Sequence, residues 1–160
     1  MSSVRIGDRL LYIGGADMGL LALLATRTGL SGSARSLVAD EAAAARVRQA
    51  AEQRGVLVEV TTEDLQAGFP FDADAFDVAI VDASASLPPL DYSEVRRVLR
   101  PGGRVVALAG CARRRLMGKP PTPVGRGEQL RQALGGAFPA ARILAERDGW
   151  VFVEALKGRG

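Results

Sequence analysis

The 160-residue chain has no histidine, one cysteine and one tryptophan, and aromatic residues make up only 5% of it. Each scarcity removes a class of chemistry. Without histidine there is neither a Ser-His-Asp triad nor an imidazole base. With Cys111 as the only thiol, no disulfide can close within the chain, and zinc or iron–sulfur centres lack their usual ligands. Few aromatics leave no clear stacking platform for nucleic-acid bases. No run is long and apolar enough to read as a membrane span: the most apolar stretch is interrupted by Gly14, Gly15 and Asp17. Met1-Ser2-Ser3-Val4-Arg5 lacks the charged-then-apolar order of a secretory signal. A metal-independent, cytoplasmic protein without a membrane partner is expected, and with 48% hydrophobic content the chain reads as a single domain, residues 1–160.

What is present starts with Leu10-Leu11-Tyr12-Ile13-Gly14-Gly15-Ala16-Asp17-Met18-Gly19, an apolar run that breaks into glycines and resumes as Leu20-Leu21-Ala22-Leu23-Leu24-Ala25. That order describes a buried strand, a tight loop and a helix. Such a loop brings backbone close to a ligand, and the helix start offers unpaired N–H groups and the positive end of its dipole to an anion. The dinucleotide fingerprint G-x-G-x-x-G would occupy Gly14, Ala16 and Gly19, with alanine where a pyrophosphate needs open backbone. A nucleotide-like cofactor without a pyrophosphate, such as S-adenosylmethionine, suits the loop better than NAD. A tight turn that merely packs helix on strand is the plain alternative.

The rest of the chain alternates strand and helix signals. The pattern predicts strands at Leu10–Ile13, Ser36–Ala39, Val56–Val60, Phe76–Asp82 and Arg104–Ala109, with helices at Met18–Thr28, Glu41–Arg54, Tyr92–Leu99 and Glu128–Leu134. Arg100-Pro101-Gly102-Gly103 reads as a turn, 111–127 as irregular, and Asp148-Gly149 as a two-residue hairpin between Arg142–Arg147 and Trp150–Leu156. The expected architecture is α/β: a Rossmann-like, doubly wound, mostly parallel sheet of about seven strands that ends in an antiparallel β-hairpin.

In this order the glycine loop, the acidic ends of the second and third strands, Phe76-Asp77-Val78, Leu99-Arg100-Pro101-Gly102-Gly103 and the terminal hairpin resemble the class I S-adenosylmethionine-dependent methyltransferases over nearly the whole chain. The glycine loop, followed later by Val81-Asp82-Ala83-Ser84, is also similar to spermidine synthase-type aminopropyltransferases. Two departures narrow the resemblance. Asp82-Ala83-Ser84-Ala85 stands where DNA adenine methyltransferases carry Asn/Asp-Pro-Pro-aromatic, and Ala85 stands where the aminopropyltransferases carry a second aspartate. Neither DNA adenine methylation nor polyamine synthesis is expected.

Ligands of a doubly wound sheet collect beyond the carboxyl ends of its strands. The cofactor is accordingly expected against Gly14, Gly15, Ala16, Asp17 and Gly19, with Asp17 facing its amino group. Asp40 follows Gly14 by 26 positions, a spacing that suits hydrogen bonds from ribose hydroxyls, although Asp40 also suits an N-cap of the following helix. By resemblance Asp64 receives the adenine amino group and Leu65 lies against the ring; a turn aspartate is the alternative for Asp64. Asp82, ending a buried strand, needs solvent or a partner and is the candidate catalytic residue, positioning an acceptor or taking its proton. Ser84 is a candidate substrate contact beside it.

Charge divides unevenly. Residues 1–90 hold 7 Lys/Arg against 12 Asp/Glu, and residues 91–160 hold 14 against 6. Arg113, Arg114 and Arg115, with Lys119, lie in the basic half and could grip an anionic small molecule or RNA phosphate, or simply be solvated. The expected reaction is methyl transfer to an unidentified acceptor. The alternative is a methyltransferase-like module that binds cofactor or a protein without turnover, with a homodimer mate or partner subunit covering an open site.

Overall fold

A computed structural model describes residues 4–14, 17–84, 90–110, 125–147 and 149–159. Along the chain run β1 (Arg9–Ile13), α1 (Met18–Thr28), β2 (Ser33–Val38), α2 (Glu41–Arg54), β3 (Glu59–Thr62), β4 (Phe76–Asp82), α3 (Tyr92–Val98), β5 (Leu99–Gly110), α4 (Arg126–Gly135), β6 (Arg142–Arg147) and β7 (Trp150–Leu156). The strands form one sheet in the order β3-β2-β1-β4-β5-β7-β6. Pairing is parallel from β3 to β5 and antiparallel where β7 joins β5 and β6. The expected architecture is the one observed. Because the strand order reverses between β1 and β4, the connections leaving these two neighbours diverge and open a crevice at their carboxyl ends.

Two-residue periodicity sorts the side chains into two layers. Leu10 and Tyr12 of β1, Ala34 and Val38 of β2, and Val78 and Ile80 of β4 pack with Leu21, Leu24 and Ala25 of α1 and Ala43, Ala44 and Val47 of α2. Leu11, Ile13, Leu37, Ala79, Val81, Val105 and Ala107 face the other way, against Val95 and Val98 of α3 and Leu134 of α4. Central strands buried on both faces explain why β1 and β4 read as nearly continuous apolar runs.

The boundaries differ from expectation where backbone bonds are committed elsewhere. β3 begins at Glu59 rather than Val56, because α2 ends at Gly55 (φ +62°) and the Val56 N–H is spent on the Ala51 carbonyl at 3.0 Å. β2 begins earlier, at Ser33, which pairs with Arg9. Residues 100–103 do not precede β5 but lie within it as a bulge: Leu99 pairs with Phe76, and the next pair is Arg104 with Val78. Gly102, at φ +74°, donates to the Lys157 carbonyl at 2.8 Å, and Lys157 N–H returns a bond to Gly103 at 2.9 Å, so the turn-forming residues act inside the strand. α4 starts at Arg126, two residues before the expected helix; most of the segment expected to be irregular, 111–124, lies outside the described residues. At the hairpin Arg147 pairs with Trp150 and Gly149 has φ +78°, while Asp148 is outside the described residues. No described helix is long and apolar enough to cross a membrane.

Candidate functional site

The carboxyl ends of β1, β2 and β4 gather most of the residues that the sequence singles out. Gly14 leaves β1 with φ +106°, a conformation that L side chains rarely adopt, and its N–H continues the sheet by bonding to the Leu37 carbonyl at 3.0 Å. Asp17 then caps α1: its Oδ1 accepts from the Leu20 N–H at 2.9 Å. Gly15 and Ala16 lie outside the described residues. Gly19 sits within the first turn of α1 rather than in the loop. A Cβ there would stand 3.3 Å from Asp17 Oδ1, so the missing side chain leaves room for the cap.

Asp40 and Asp64 are both exposed, and each has one oxygen committed. Asp40 Oδ1 accepts from the Ala43 N–H at 2.7 Å as the N-cap of α2, and Asp64 Oδ1 accepts from Gln66 N–H at 2.9 Å. Their second oxygens make no hydrogen bond among the described residues, which leaves each able to receive a ligand's hydroxyl or amino group. The helix cap and the ligand contact considered for Asp40 are therefore compatible. Leu65 lies inward from Asp64. Its side chain is 1% exposed and packs in the layer with Leu37, Phe69 and Phe76, because a large aliphatic group one residue beyond an exposed turn gains more from the core than from the open edge.

Asp82 is the most connected of these groups. It is 1% exposed, and its Oδ2 accepts from the Tyr12 hydroxyl at 2.7 Å and the Asp17 N–H at 2.9 Å. Its Oδ1 accepts from the Ser84 N–H at 3.0 Å and from the Ser84 hydroxyl. An ionised carboxylate offers about four lone-pair sites. All are engaged within the chain, so accepting a substrate proton would displace one of these donors. Ser84, considered as a substrate contact, directs both its donors at Asp82. Arg113, Arg114 and Arg115 lie outside the described residues.

Tyr12 is a further member of this cluster, beyond the residues that the glycine loop and the acidic strand ends indicate. Its register explains the contact: Tyr12 pairs with Ile80, and Asp82 is the next residue of β4 on the same face. Burial, then the negative charge of Asp82, push the Tyr12 phenol far above its ordinary value, so it stays protonated and acts as a donor. A fully buried tyrosine on a central strand requires a partner for its hydroxyl, and this was the available signal. At the far side of the crevice, Arg126 Nη1 donates to the Gly110 carbonyl at 2.6 Å and brings a cation to the end of β5. Among the described residues no group of three His, Cys, Asp or Glu could hold a metal.

Residues 12–107 match the family model described as a methyltransferase domain. This chain belongs to that family. The match runs from Tyr12 through the glycine loop, Asp40, Asp64 and Asp82 into β5, so it covers every described residue of the crevice except Arg126 and Gly110. It bears out the resemblance to the class I S-adenosylmethionine-dependent methyltransferases, and the family assignment carries S-adenosylmethionine as the cofactor. No curated protein matches the chain. Among solved structures, a SAM-dependent methyltransferase from Aquifex aeolicus superposes with a TM-score of 0.74 at 18% identity, over 97% of this chain and 85% of that one. A geranyl diphosphate C-methyltransferase from Streptomyces coelicolor A3(2), in complex with Mg2+, geranyl diphosphate and S-adenosyl-L-homocysteine, gives 0.63 at 19%, over 99% and 75%. The [4+2]-cyclase SpnF gives 0.70 at 20%, over 99% and 77%. At such identities these likenesses speak for the fold.

Proposed function

We propose that this methyltransferase-family protein binds S-adenosylmethionine along the carboxyl ends of β1, β2 and β3 and transfers its methyl group to an anionic acceptor, a small molecule or RNA, held beyond β4 and β5. The observation that carries this reading is the convergence, within the family match, of Gly14 at φ +106°, the capped start of α1 and the half-committed carboxylates of Asp40 and Asp64. The start of α1 would hold the carboxylate end of the cofactor, Asp40 its ribose and Asp64 its adenine amino group, while Gly14 at φ +106° turns the backbone there. When bound, S-adenosylmethionine supplies an electrophilic methyl group on a positively charged sulfur.

The chain's own contribution is chiefly alignment. Methyl transfer needs the acceptor's nucleophile in line with the methyl–sulfur bond, and holding that geometry lowers the barrier without a proton relay. With no histidine in the sequence and the Asp82 lone pairs engaged internally, the described site favours an acceptor whose nucleophile arrives unprotonated. The anionic preference is supported by the excess of Lys/Arg in residues 91–160 and by Arg126 beside the end of β5. A fold relative solved with Mg2+ and geranyl diphosphate supports an anionic small molecule as a candidate acceptor.

Calorimetric titration with S-adenosylmethionine and S-adenosylhomocysteine, with decarboxylated cofactor and NAD as controls, tests the first half. Saturable binding of the first two in preference to NAD is expected. Methylation of a member of an acceptor panel rich in carboxylates, phosphates and RNA tests the second. Binding without turnover across that panel would support the non-catalytic module instead, and a second protein chain would then be sought over the open edge.

A further inference from the structure

We infer that Tyr12 is a positioning residue for the cofactor loop: its hydroxyl holds the Asp82 carboxylate where that carboxylate fixes the Asp17 N–H, and with it the start of α1. The inference rests on the cofactor site proposed above. The two described residues on either side of positions 15 and 16 are each held by a main-chain N–H hydrogen bond. The Gly14 N–H bonds to the Leu37 carbonyl of β2 at 3.0 Å. The Asp17 N–H bonds to Asp82 Oδ2 at 2.9 Å, and Asp17 Oδ1 passes the connection on to the Leu20 N–H at 2.9 Å.

Asp82 can serve as the second anchor only if its own position is fixed. Ser84 cannot fix it alone, because both Ser84 donors come from two residues along the same connection and engage only Oδ1. The side-chain restraint from another strand is the Tyr12 hydroxyl, 2.7 Å from the same Oδ2 that receives Asp17. Tyr12 is fully buried in β1, paired on both sides with β2 and β4, so its ring cannot swing away. The Tyr12 hydroxyl also lies 3.2 Å from the Asp17 carbonyl oxygen, so Tyr12, directly and through Asp82, ties the rigid centre of the sheet to Asp17 and the first turn of α1. A ligand that binds at a helix start gains affinity when that start is already ordered.

Hydrogen exchange resolved by NMR on the unliganded protein, together with S-adenosylhomocysteine titration, tests this in Tyr12→Phe. The expected result has two parts. The Asp17 amide exchanges at least about tenfold faster than in the wild type while the Leu11 and Ala79 amides keep their protection, and S-adenosylhomocysteine binds about tenfold more weakly, as loss of one hydrogen bond to a charged group implies. A merely structural role for the hydroxyl would speed exchange throughout β1 and β4 instead, and that pattern would overturn the inference. So would an Asp17 amide that is unchanged, or cofactor affinity that is unchanged. Should Tyr12→Phe not fold, Asp82→Asn is read in the same way, since its amide removes one acceptor oxygen from the network. Failure of the wild type to bind any adenosyl ligand would refute the cofactor site itself, whereas wild-type binding with an indifferent Asp17 amide in the variant refutes only the role of Tyr12.

Discussion

Asp77 Oδ2 receives both the main-chain N–H of Arg9, at 2.8 Å, and the Nε–H of the same residue, at 3.1 Å. Its other oxygen takes Arg100 Nε. The pair ties the start of β1 to β4 and, through Arg100, to the bulge of β5, so it joins the two motifs Phe76-Asp77-Val78 and Leu99-Arg100-Pro101-Gly102-Gly103. Burial on its own would raise the Asp77 carboxyl; the hydrogen bonds from Arg9 and then Arg100 outweigh it and hold the group down at about 2.

A depressed carboxyl contributes stability that is complete above its unfolded value and disappears as pH falls through the folded one. For Asp77 that window runs from about pH 4 down to about pH 2. The Arg9 and Arg100 side chains are 45% and 47% exposed, which screens the pairs. Asp77→Asn should therefore cost about 1–2 kcal/mol at pH 7, and the difference from wild type should shrink as pH falls below about 4. Urea unfolding across this range measures it. A constant difference at all pH values would show that the contribution is not ionic.

Gly103 lies where β5 closes its bulge. A Cβ there would come 2.7 Å from the Arg100 carbonyl oxygen and 3.2 Å from that of Asp77, both main-chain atoms that cannot rotate aside. Gly103→Ala should destabilise by roughly 1–3 kcal/mol. Gly135, with nothing within 4 Å of an added Cβ, is the matched control, where alanine should be neutral or slightly stabilising because it favours α4. Thermal unfolding of the two variants compares them directly.

The legibility of this chain follows from the range of the interactions involved. α1, α2 and β4 are found where sequence places them because their signals are local: the glycine break before α1, Asp40 as a cap and Gly55 as a stop for α2, and an uninterrupted apolar run from Val78 to Val81. β3 slipped by three residues at its start because Val56 looks like strand yet completes the end of α2, a choice that only the hydrogen bond to Ala51 decides. In the site, the acidic edge was readable from position alone. The engagement of Asp82 by Tyr12 was not, since 70 residues separate them and their contact depends on the register of β1 against β4. The burial of Leu65 reflects packing against Phe69 and Phe76 that the local sequence does not encode.

Asp40 offers a way to separate folding from ligand binding, because its two oxygens have different duties. Oδ1 caps α2 through the Ala43 N–H, and Oδ2 makes no hydrogen bond among the described residues. Serine caps helices about as well as aspartate but offers neither a second oxygen nor a charge. Asp40→Ser should therefore leave thermal stability nearly unchanged, whereas Asp40→Ala should lose about 1 kcal/mol with the cap. If the free oxygen receives ribose hydroxyls, both variants should bind S-adenosylhomocysteine at least about tenfold more weakly, since hydrogen bonds to a charged group contribute about 1.5–3 kcal/mol. Calorimetry on the two variants decides between the roles. Normal affinity in Asp40→Ser would assign Asp40 to the helix alone and move the ribose contact to another residue of the edge.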